Sequence, residues 1–492
     1  MNFVDYLFEA NKDLSKNVVV GNVESISYAD LYHTHVFRIS GWLSQKYGSH
    51  EKILLISDNS VFFIGAYLGI IHSGNICVPL NPSITSTSLQ YIATQCAAKV
   101  AFVEKRYEKK LDDLDLEIIT QDLIFGDSLS FSMPTGGGQV FDHDQIAEII
   151  FTSGSTALPK GVMLSHKNLR ANTDSIIQYL ALTDNDRVAV VLPFYYCYGL
   201  SLLHTHIKVG ASLVLNNTFM MVNTVIDDLL NFQCTGFSGV PSHYQILLRK
   251  SRRFRSTPFP HLRYVTQAGG KLPTVFIEDF LQTFPNVKFY VMYGQTEATA
   301  RLSYLPPNCL PEKLGSIGKG MPGVKLEVVN EAMQPVKPNE LGEIVAEGDN
   351  IMVGYFEDQS LTAETIKAGR LHTGDLGTID SEGYIYVLAR EKEYLKVSGE
   401  RISPKEIEDV IVSLPSVVDC SIIGVEDDIL GEAIKAFIVL EVNASLTKDE
   451  ILDFCNQRLS STKLPKFIEF IDEIPVSPTG KKLRSVLEQL GA

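Results

Sequence analysis

Three apolar runs follow one another between residues 52 and 80 with only short breaks. Lys52-Ile53-Leu54-Leu55-Ile56-Ser57 is rich in branched aliphatics and reads as a buried strand. Val61 to His72 is apolar all round, reads as a buried helix, and stops near Ser73-Gly74. Ile76-Cys77-Val78-Pro79-Leu80 is the next strand. A strand, a helix and a strand in this order imply largely parallel sheets covered by helices. Val61 to Ile71 is also the longest apolar stretch, and it is too short to span a bilayer.

At 492 residues the chain is too long for one ordinary core, so two or more domains are expected. Arg390-Glu391-Lys392 marks the best boundary. Beyond it, Ser403-Pro404-Lys405-Glu406 has the form of a capping box with proline at the first helical position. Ile407, Val410, Ile411 and Leu414 give that helix its apolar stripe. Strands are expected at Val417–Val425 and Ala433–Leu440. Thr447-Lys448-Asp449-Glu450 caps another helix, with Ile451, Phe454, Cys455 and Leu459 inward. The expected fold is therefore α/β. Residues 1–390 form a large N-terminal domain of mixed, mostly parallel sheets covered by helices. Residues 391–492 form a small, mobile α+β domain with its hinge near Lys392. Thr135-Gly136-Gly137-Gly138-Gln139 reads as a connector within the first domain.

A net charge of −15 argues against nucleic acid or an anionic membrane as the main partner. The seven cysteines include no C-x-x-C pair, which suits a reducing cytosol and gives no zinc site. The start Met1-Asn2-Phe3-Val4-Asp5 lacks a basic lead into an apolar run, so no secretory signal is expected. His204 and His206 alternate as on a strand and read as structural histidines.

Four later segments carry chemistry. Ile149-Ile150-Phe151 feeds the loop Thr152-Ser153-Gly154-Ser155-Thr156-Ala157-Leu158-Pro159-Lys160-Gly161. Hydroxyls and backbone N–H groups with little side-chain bulk can wrap a polyphosphate, and a lysine offsets its charge. Such a loop on its own also fits a solvated linker. Ser165-His166-Lys167-Asn168 offers helix caps after it, so the loop is expected to join a strand to a helix. Tyr293-Gly294-Gln295-Thr296-Glu297-Ala298-Thr299 follows a strand-like run, Val287 to Met292, and offers an aromatic ring, a hydroxyl and a carboxylate. Leu371-His372-Thr373-Gly374-Asp375-Leu376-Gly377 places an aspartate in a Gly-flanked turn, where it could bind vicinal hydroxyls. Asp380-Ser381-Glu382-Gly383-Tyr384 follows as a hairpin signal. Pro475-Val476-Ser477-Pro478-Thr479-Gly480-Lys481-Lys482-Leu483-Arg484 sets two lysines after a Pro/Gly turn.

In this order and over more than three hundred residues, these segments resemble the motifs of the adenylate-forming superfamily, which includes acyl-CoA synthetases, luciferases and peptide-synthetase adenylation domains. The resemblance implies an ATP-dependent acid–thiol ligase. Such an enzyme activates a carboxylic acid as its acyl-adenylate, releases pyrophosphate, and transfers the acyl group to coenzyme A. It implies ATP-binding roles for Thr152, Ser153, Gly154, Ser155, Thr156, Gly270, Lys271, Gly294 and Gln295. Tyr293 would stack on adenine, Thr296 would bond phosphate, Glu297 would hold Mg²⁺, and Lys160 would face the phosphates. Asp375 and Arg390 would share the ribose, although Ala389 stands where a glycine is usual. Lys481, and not Lys482, matches the lysine that reaches into the other domain during adenylation. Lys396 and Gly399 match the motif that lines the thiol path once the small domain has rotated about Lys392.

Two positions depart from the superfamily pattern. Ala157 replaces a loop glycine, which would strain the backbone if φ > 0 were needed there. Tyr196, in Leu192-Pro193-Phe194-Tyr195-Tyr196-Cys197-Tyr198-Gly199, stands where acyl-CoA synthetases carry histidine and amino-acid-activating relatives carry aspartate. Uncharged Tyr196 disfavours an α-ammonium and points to a neutral-chain acid of short or medium length. With Tyr196, Val240 and Gly269 are the acyl-pocket candidates. Two other readings stay open: a stand-alone enzyme that loads the phosphopantetheine of a carrier protein, and a non-catalytic ligand sensor. A sensor would be expected to lack Lys481 or Glu297, and both are present. The expected partners are a small carboxylic acid and coenzyme A or an acyl carrier protein, in the cytoplasm, with no nucleic acid and no transmembrane segment.

Overall fold

The computed structural model describes residues 1–125, 142–152, 158–390, 394–397, 400–427, 431–477 and 482–491. The connector at 135–139 lies outside them. β1 (Lys52–Ile56), α1 (Val61–His72) and β2 (Ile76–Leu80) stand where the apolar runs place them. The two strands are parallel, in register from Lys52 opposite Ile76 to Ile56 opposite Leu80. α1 buries every residue from Val61 to Ile71. The Ser60 hydroxyl caps it, accepting from the Phe63 N–H at 3.0 Å.

The same seven-stranded sheet holds β3 (Ile146–Thr152) and β4 (Lys160–Ser165). Here the sequence expectation fails. The loop after Thr152 does not lead into a helix; it joins two antiparallel strands, with Ile146 opposite Ser165 and Thr152 opposite Lys160. The helix α2 (His166–Leu180) begins only after β4. Val162 and Leu164 are buried, so a short apolar β run was hidden behind Pro159-Lys160-Gly161. Ser165 does cap α2, in a reciprocal box with Asn168.

A nine-stranded sheet carries β5 (Arg187–Val190), α3 (Cys197–Lys208), β6 (Ser212–Leu215), β7 (Gly236–Gly239), α4 (Pro241–Lys250), β8 (Tyr264–Gln267) and β9 (Lys288–Tyr293). Its central order is β9-β8-β7-β5-β6, and these five strands are all parallel. His204 and His206 lie on α3 and not on a strand. Both are buried structural residues, as their chemistry suggested: His206 Nδ1 is 2.9 Å from the Leu202 carbonyl oxygen and His204 Nε2 is 2.8 Å from the Tyr67 hydroxyl.

β10 (Arg370–Ile379) and β11 (Ile385–Arg390) are an antiparallel pair joined at the expected Asp380–Tyr384 turn. Asp375 is not in a turn. It lies within β10, opposite Arg390, just after Gly374 with φ +69° and beside a register shift. Past residue 394 the strands belong to another five-stranded sheet. It contains β12 (Val417–Asp427) and β13 (Gly431–Leu440), with α5 (Pro404–Val412) and α6 (Lys448–Asn456) beside it. Thr447 and Glu450 form the expected capping box. Ser403 and Glu406 do not: Ser403 Oγ donates to the Leu388 carbonyl at 3.3 Å, and Lys463 holds the Glu406 carboxylate at 2.6 and 2.8 Å. Among the described residues no helix is long and apolar enough to cross a membrane.

One acidic residue of the core, Glu148, forms no ion pair with a described residue. Glu148 on β3 is 1% exposed, and its Oε2 is 2.7 Å from the Tyr67 hydroxyl. Burial pushes its carboxyl up to about 7, against the pull of the Tyr67 hydrogen bond. Burial also pushes His204 down to about 3, so that ring is neutral. The Tyr67 hydroxyl donates to the Glu148 carboxyl and lies 2.8 Å from His204 Nε2, so the three side chains form one buried hydrogen-bonded chain. Between pH 4.5 and 7 the folded protein holds a proton that the unfolded chain has lost, so stability falls as pH rises through this window. Glu148→Gln should therefore stabilise the protein at pH 8 relative to pH 4.5, by on the order of 3 kcal/mol. Denaturant melts of both proteins across that range check this; parallel pH profiles would refute it.

Candidate active site

Parallel strands send all their carboxyl ends to one rim. Where neighbouring strands connect in opposite directions, a crevice opens. β5 connects to β6 on one side and has β7 on the other, so the crevice of the nine-stranded sheet lies between β5 and β7. The segments that leave β5, β7, β8 and β9 at this rim contain most of the described candidates.

After β5 the chain reaches Tyr196, the residue before α3. Its ring is half-buried against Tyr195, at 5.0 Å between centroids, and burial raises its hydroxyl above the ordinary range. Cys197 Sγ is 3.6 Å from Thr296 Oγ1, which ties this corner to the segment after β9. After β7 comes buried Val240, then Pro241 opening α4. After β8 comes Gly269; a β-carbon placed there would stand 3.1 Å from Val240 Cγ1, so these two candidates adjoin. Gln267 Nε2 donates to the Gly270 carbonyl at 2.6 Å. Lys271 is held by Asp409 of α5 at 2.7 Å.

After β9 the Tyr293–Thr299 segment folds back on itself. A β-carbon on Gly294 would stand 2.1 Å from the Ala300 carbonyl oxygen, so only glycine fits. The Tyr293 hydroxyl donates to Asp375 Oδ2 at 2.6 Å, joining two motifs that are 82 residues apart. Gln295 Nε2 is buried and without a hydrogen-bond partner, a donor suited to a ligand. The Glu297 carboxylate accepts from the Tyr355 hydroxyl at 2.8 Å.

Sequence reasoning missed Tyr355. It pairs with Val162 on β4, and its neighbours Val353 and Phe356 donate to the Met163 and Gly161 carbonyls. Met352 N–H donates to the Glu297 carbonyl at 2.9 Å. This short stretch fastens the β3–β4 hairpin, and with it Thr152 and Lys160, beside Glu297. No motif marks it. Arg301, buried just beyond the same segment, was also missed, because an arginine in sequence reads as solvated.

Ser153, Gly154, Ser155, Thr156 and Ala157 lie outside the described residues, as do Lys392, Gly399 and Lys481 and the side chain of Arg390. Lys396 is exposed on the short strand Leu395–Val397. Lys482 is committed elsewhere: its ammonium is 2.8 Å from Asp419 and 3.9 Å from Glu408, and it donates to the Cys420 carbonyl. Burial would lower its pKa, but the two carboxylates outweigh this and raise it. Among the described residues no three metal-type side chains gather. A lone carboxylate at Glu297 fits Mg²⁺, which takes one or two protein ligands and completes its shell with substrate phosphates and water.

The family model for the AMP-binding enzyme matches residues 8–356, and that for the AMP-binding enzyme C-terminal domain matches residues 406–481. The chain belongs to the AMP-binding enzyme family. An oxalate–CoA ligase from Arabidopsis thaliana is 28% identical over 454 residues, 89% of this chain and 88% of that protein. A 2-succinylbenzoate–CoA ligase from Bacillus cereus is 30% identical over 444 residues, with the same shares. The solved O-succinylbenzoate coenzyme A synthetase from Bacillus subtilis, in complex with ATP and magnesium ion, superposes with a TM-score of 0.86 at 25% identity over 98% of each chain. This AMP-binding enzyme is an ATP-dependent acid–thiol ligase of the adenylate-forming superfamily.

The Gly294 contact gives a direct test. Gly294→Ala must displace the Ala300 carbonyl and with it the fold-back that aims Gln295 and Thr296. ATP affinity, measured by calorimetry, should fall by at least about tenfold. Wild-type ATP binding would show that the close approach does not shape the site.

Proposed function

We propose that the enzyme joins a short or medium carboxylic acid without an α-ammonium to coenzyme A in the cytoplasm. The observation that carries this is the convergence on one rim of Tyr293 with Asp375, and of Thr296 and Cys197 with the segment that holds Glu297. The extent of likeness to proteins named as CoA ligases supports coenzyme A as acceptor.

A carboxylate oxygen leaves badly, so the acid must first attack the α-phosphate of ATP. Both reactants are anions, and the enzyme contributes positioning and charge neutralisation. In this reading Tyr293 stacks on adenine, with Gly270 and Lys271 at its edge. Asp375 and Arg390 hold the ribose. The Thr152–Thr156 loop and Lys160 cradle the phosphates, with Thr296 bonding them. Mg²⁺, held by Glu297, neutralises charge on the departing pyrophosphate. Lys481 bridges the acid and the α-phosphate. The 391–492 domain then turns about Lys392 and brings Lys396 and Gly399 to the thiol path. Half-buried Tyr196 faces the acid with no charge, and an ammonium left uncompensated there would cost several kcal/mol.

The test is pyrophosphate release over a panel of acids, with coenzyme A and separately with carrier proteins. Turnover with carrier protein alone would move the acceptor assignment, and turnover of an α-amino acid alone would overturn the acid assignment. Lys481→Ala should cut acid-dependent pyrophosphate release on the order of 10²-fold or more while sparing thiol transfer from a supplied acyl-adenylate. Lys482→Ala should instead lower thermal stability, because it leaves Asp419 and Glu408 buried without their ammonium. The opposite outcome would shift the lysine register by one.

For Glu297→Gln the expected result is a raised Mg²⁺ requirement with an unchanged melting temperature. Wild-type rates at limiting Mg²⁺ would remove Glu297 from the metal site.

A further inference from the structure

Arg301 is 3% exposed. Its guanidinium lies on the ring face of Tyr198, 3.9 Å from the centroid, and Nη1 donates to the Ala300 carbonyl at 3.1 Å. The Tyr179 hydroxyl, which donates to Met292 Sδ at 3.0 Å, lies within reach of its charge. Nε is buried and has no partner. Every one of these neighbours is neutral, and Arg301 forms no ion pair with a described residue. Two partly buried arginines differ: Arg249 is paired with Asp279 at 3.2 Å and Arg263 with Asp186 at 2.9 Å.

The position is specific. Arg301 follows directly on the Gly294 fold-back; its Cα would be 2.7 Å from a β-carbon on Gly294. Tyr198, beneath the guanidinium, is two residues beyond Tyr196 on α3. Its hydroxyl is 2.9 Å from Thr266 Oγ1 at the carboxyl end of β8, and Thr266 Oγ1 is 2.7 Å from Ser238 Oγ on β7. The cation therefore lies on a chain of hydroxyls that reaches the ends of β8 and β7, the strands followed by the acyl-pocket candidates Gly269 and Val240.

A guanidinium does not shed its proton in a protein. Left buried and unpaired it costs several kcal/mol, so its charge must be balanced by something that binds. We propose that Arg301 is a specificity residue for an acid with a second carboxylate: the substrate is a short dicarboxylate, one end activated and the other gripped by Arg301. A carboxylate matches the planar fork of the guanidinium with two parallel hydrogen bonds, and Nε is one of the donors of such a fork. This rests on the ligase reading above and replaces the neutral chain that Tyr196 alone suggests.

The experiment compares acids matched in length: propanoate with malonate, butanoate with succinate, pentanoate with glutarate and hexanoate with adipate, each diacid also as its monomethyl ester. Acid-dependent pyrophosphate release gives kcat/KM, and calorimetry in the presence of AMP gives binding without turnover. Wild type should favour at least one diacid over both its matched monoacid and its ester on the order of 10²-fold or more. Arg301→Met should abolish that preference while keeping turnover of monoacids, and Arg301→Lys should restore part of it. Monoacids turned over as well as, or better than, every diacid would overturn the proposal and leave the ligase reading standing. So would an equal loss for all acids in Arg301→Met, the mark of a structural arginine. A diacid that binds wild type and not Arg301→Met, with no pyrophosphate released from any acid, would uphold the Arg301 site and overturn the ligase reading. No binding and no turnover of any diacid would overturn the proposal outright.

Discussion

The common direction of β5, β7, β8 and β9 is the constraint on which the site depends. Parallel strands cannot be joined by tight hairpins, so each connection is a long crossover and each carboxyl end opens onto the same rim. Tyr196, Val240, Gly269 and the Tyr293–Thr299 segment are separated by up to about a hundred residues in sequence and by the width of a few strands in space. The reversal of connection between β5 and β7 prevents helices from closing that rim. Were one of these strands antiparallel, its functional segment would leave at the far edge of the sheet.

Two close contacts turn the rim into a defined arrangement. At Gly294 the backbone packs against Ala300 with no room for a β-carbon, which fixes where Gln295, Thr296 and Glu297 point. The stretch from Met352 to Phe356 bonds to β4 on one side and to Glu297 on the other. The seven-stranded sheet supplies the β3–β4 hairpin and the nine-stranded sheet supplies the Glu297 carboxylate; this stretch sets the distance between them. Tyr293 and Asp375 do the same for β9 and β10. Three sheets thus meet through hydrogen bonds of 2.6 to 3.0 Å, which hold groups more narrowly than apolar packing does.

The legible parts of the sequence were those governed by local rules. The bounds of α1, the strands beside it and the Thr447 cap follow from apolar runs and cap chemistry alone. Failures arose where a distant partner decided the outcome. Lys160–Ser165 became a strand because residues 146–152 and 354–355 pair with its two edges. The Ser403 cap was lost because Leu388 and Lys463 compete for its two members. His204 and His206 misled because alternation over three residues fits a helix as well as a strand. The family was legible because the order of the motifs is shared with a large superfamily. Tyr355 and Arg301 were not, because their contacts, with Glu297 and with Tyr198, lie far away in sequence and no spacing rule encodes them.

The interior holds charged groups in three different ways, and the difference between acids and bases separates them. Asp186 is paired with Arg263, and Glu408 lies between Lys482 and Arg484; each charge has its complement inside the chain. Glu148 has none, and its carboxyl escapes the cost by keeping its proton, with Tyr67 and His204 completing the hydrogen bonds. A guanidinium has no such escape at any pH a protein survives. A fold can therefore carry a neutral buried glutamic acid as part of its core, but a buried arginine among neutral neighbours is unfinished electrostatics. The missing charge has to come from outside the fold, and at Arg301 it is the proposed second carboxylate of the substrate.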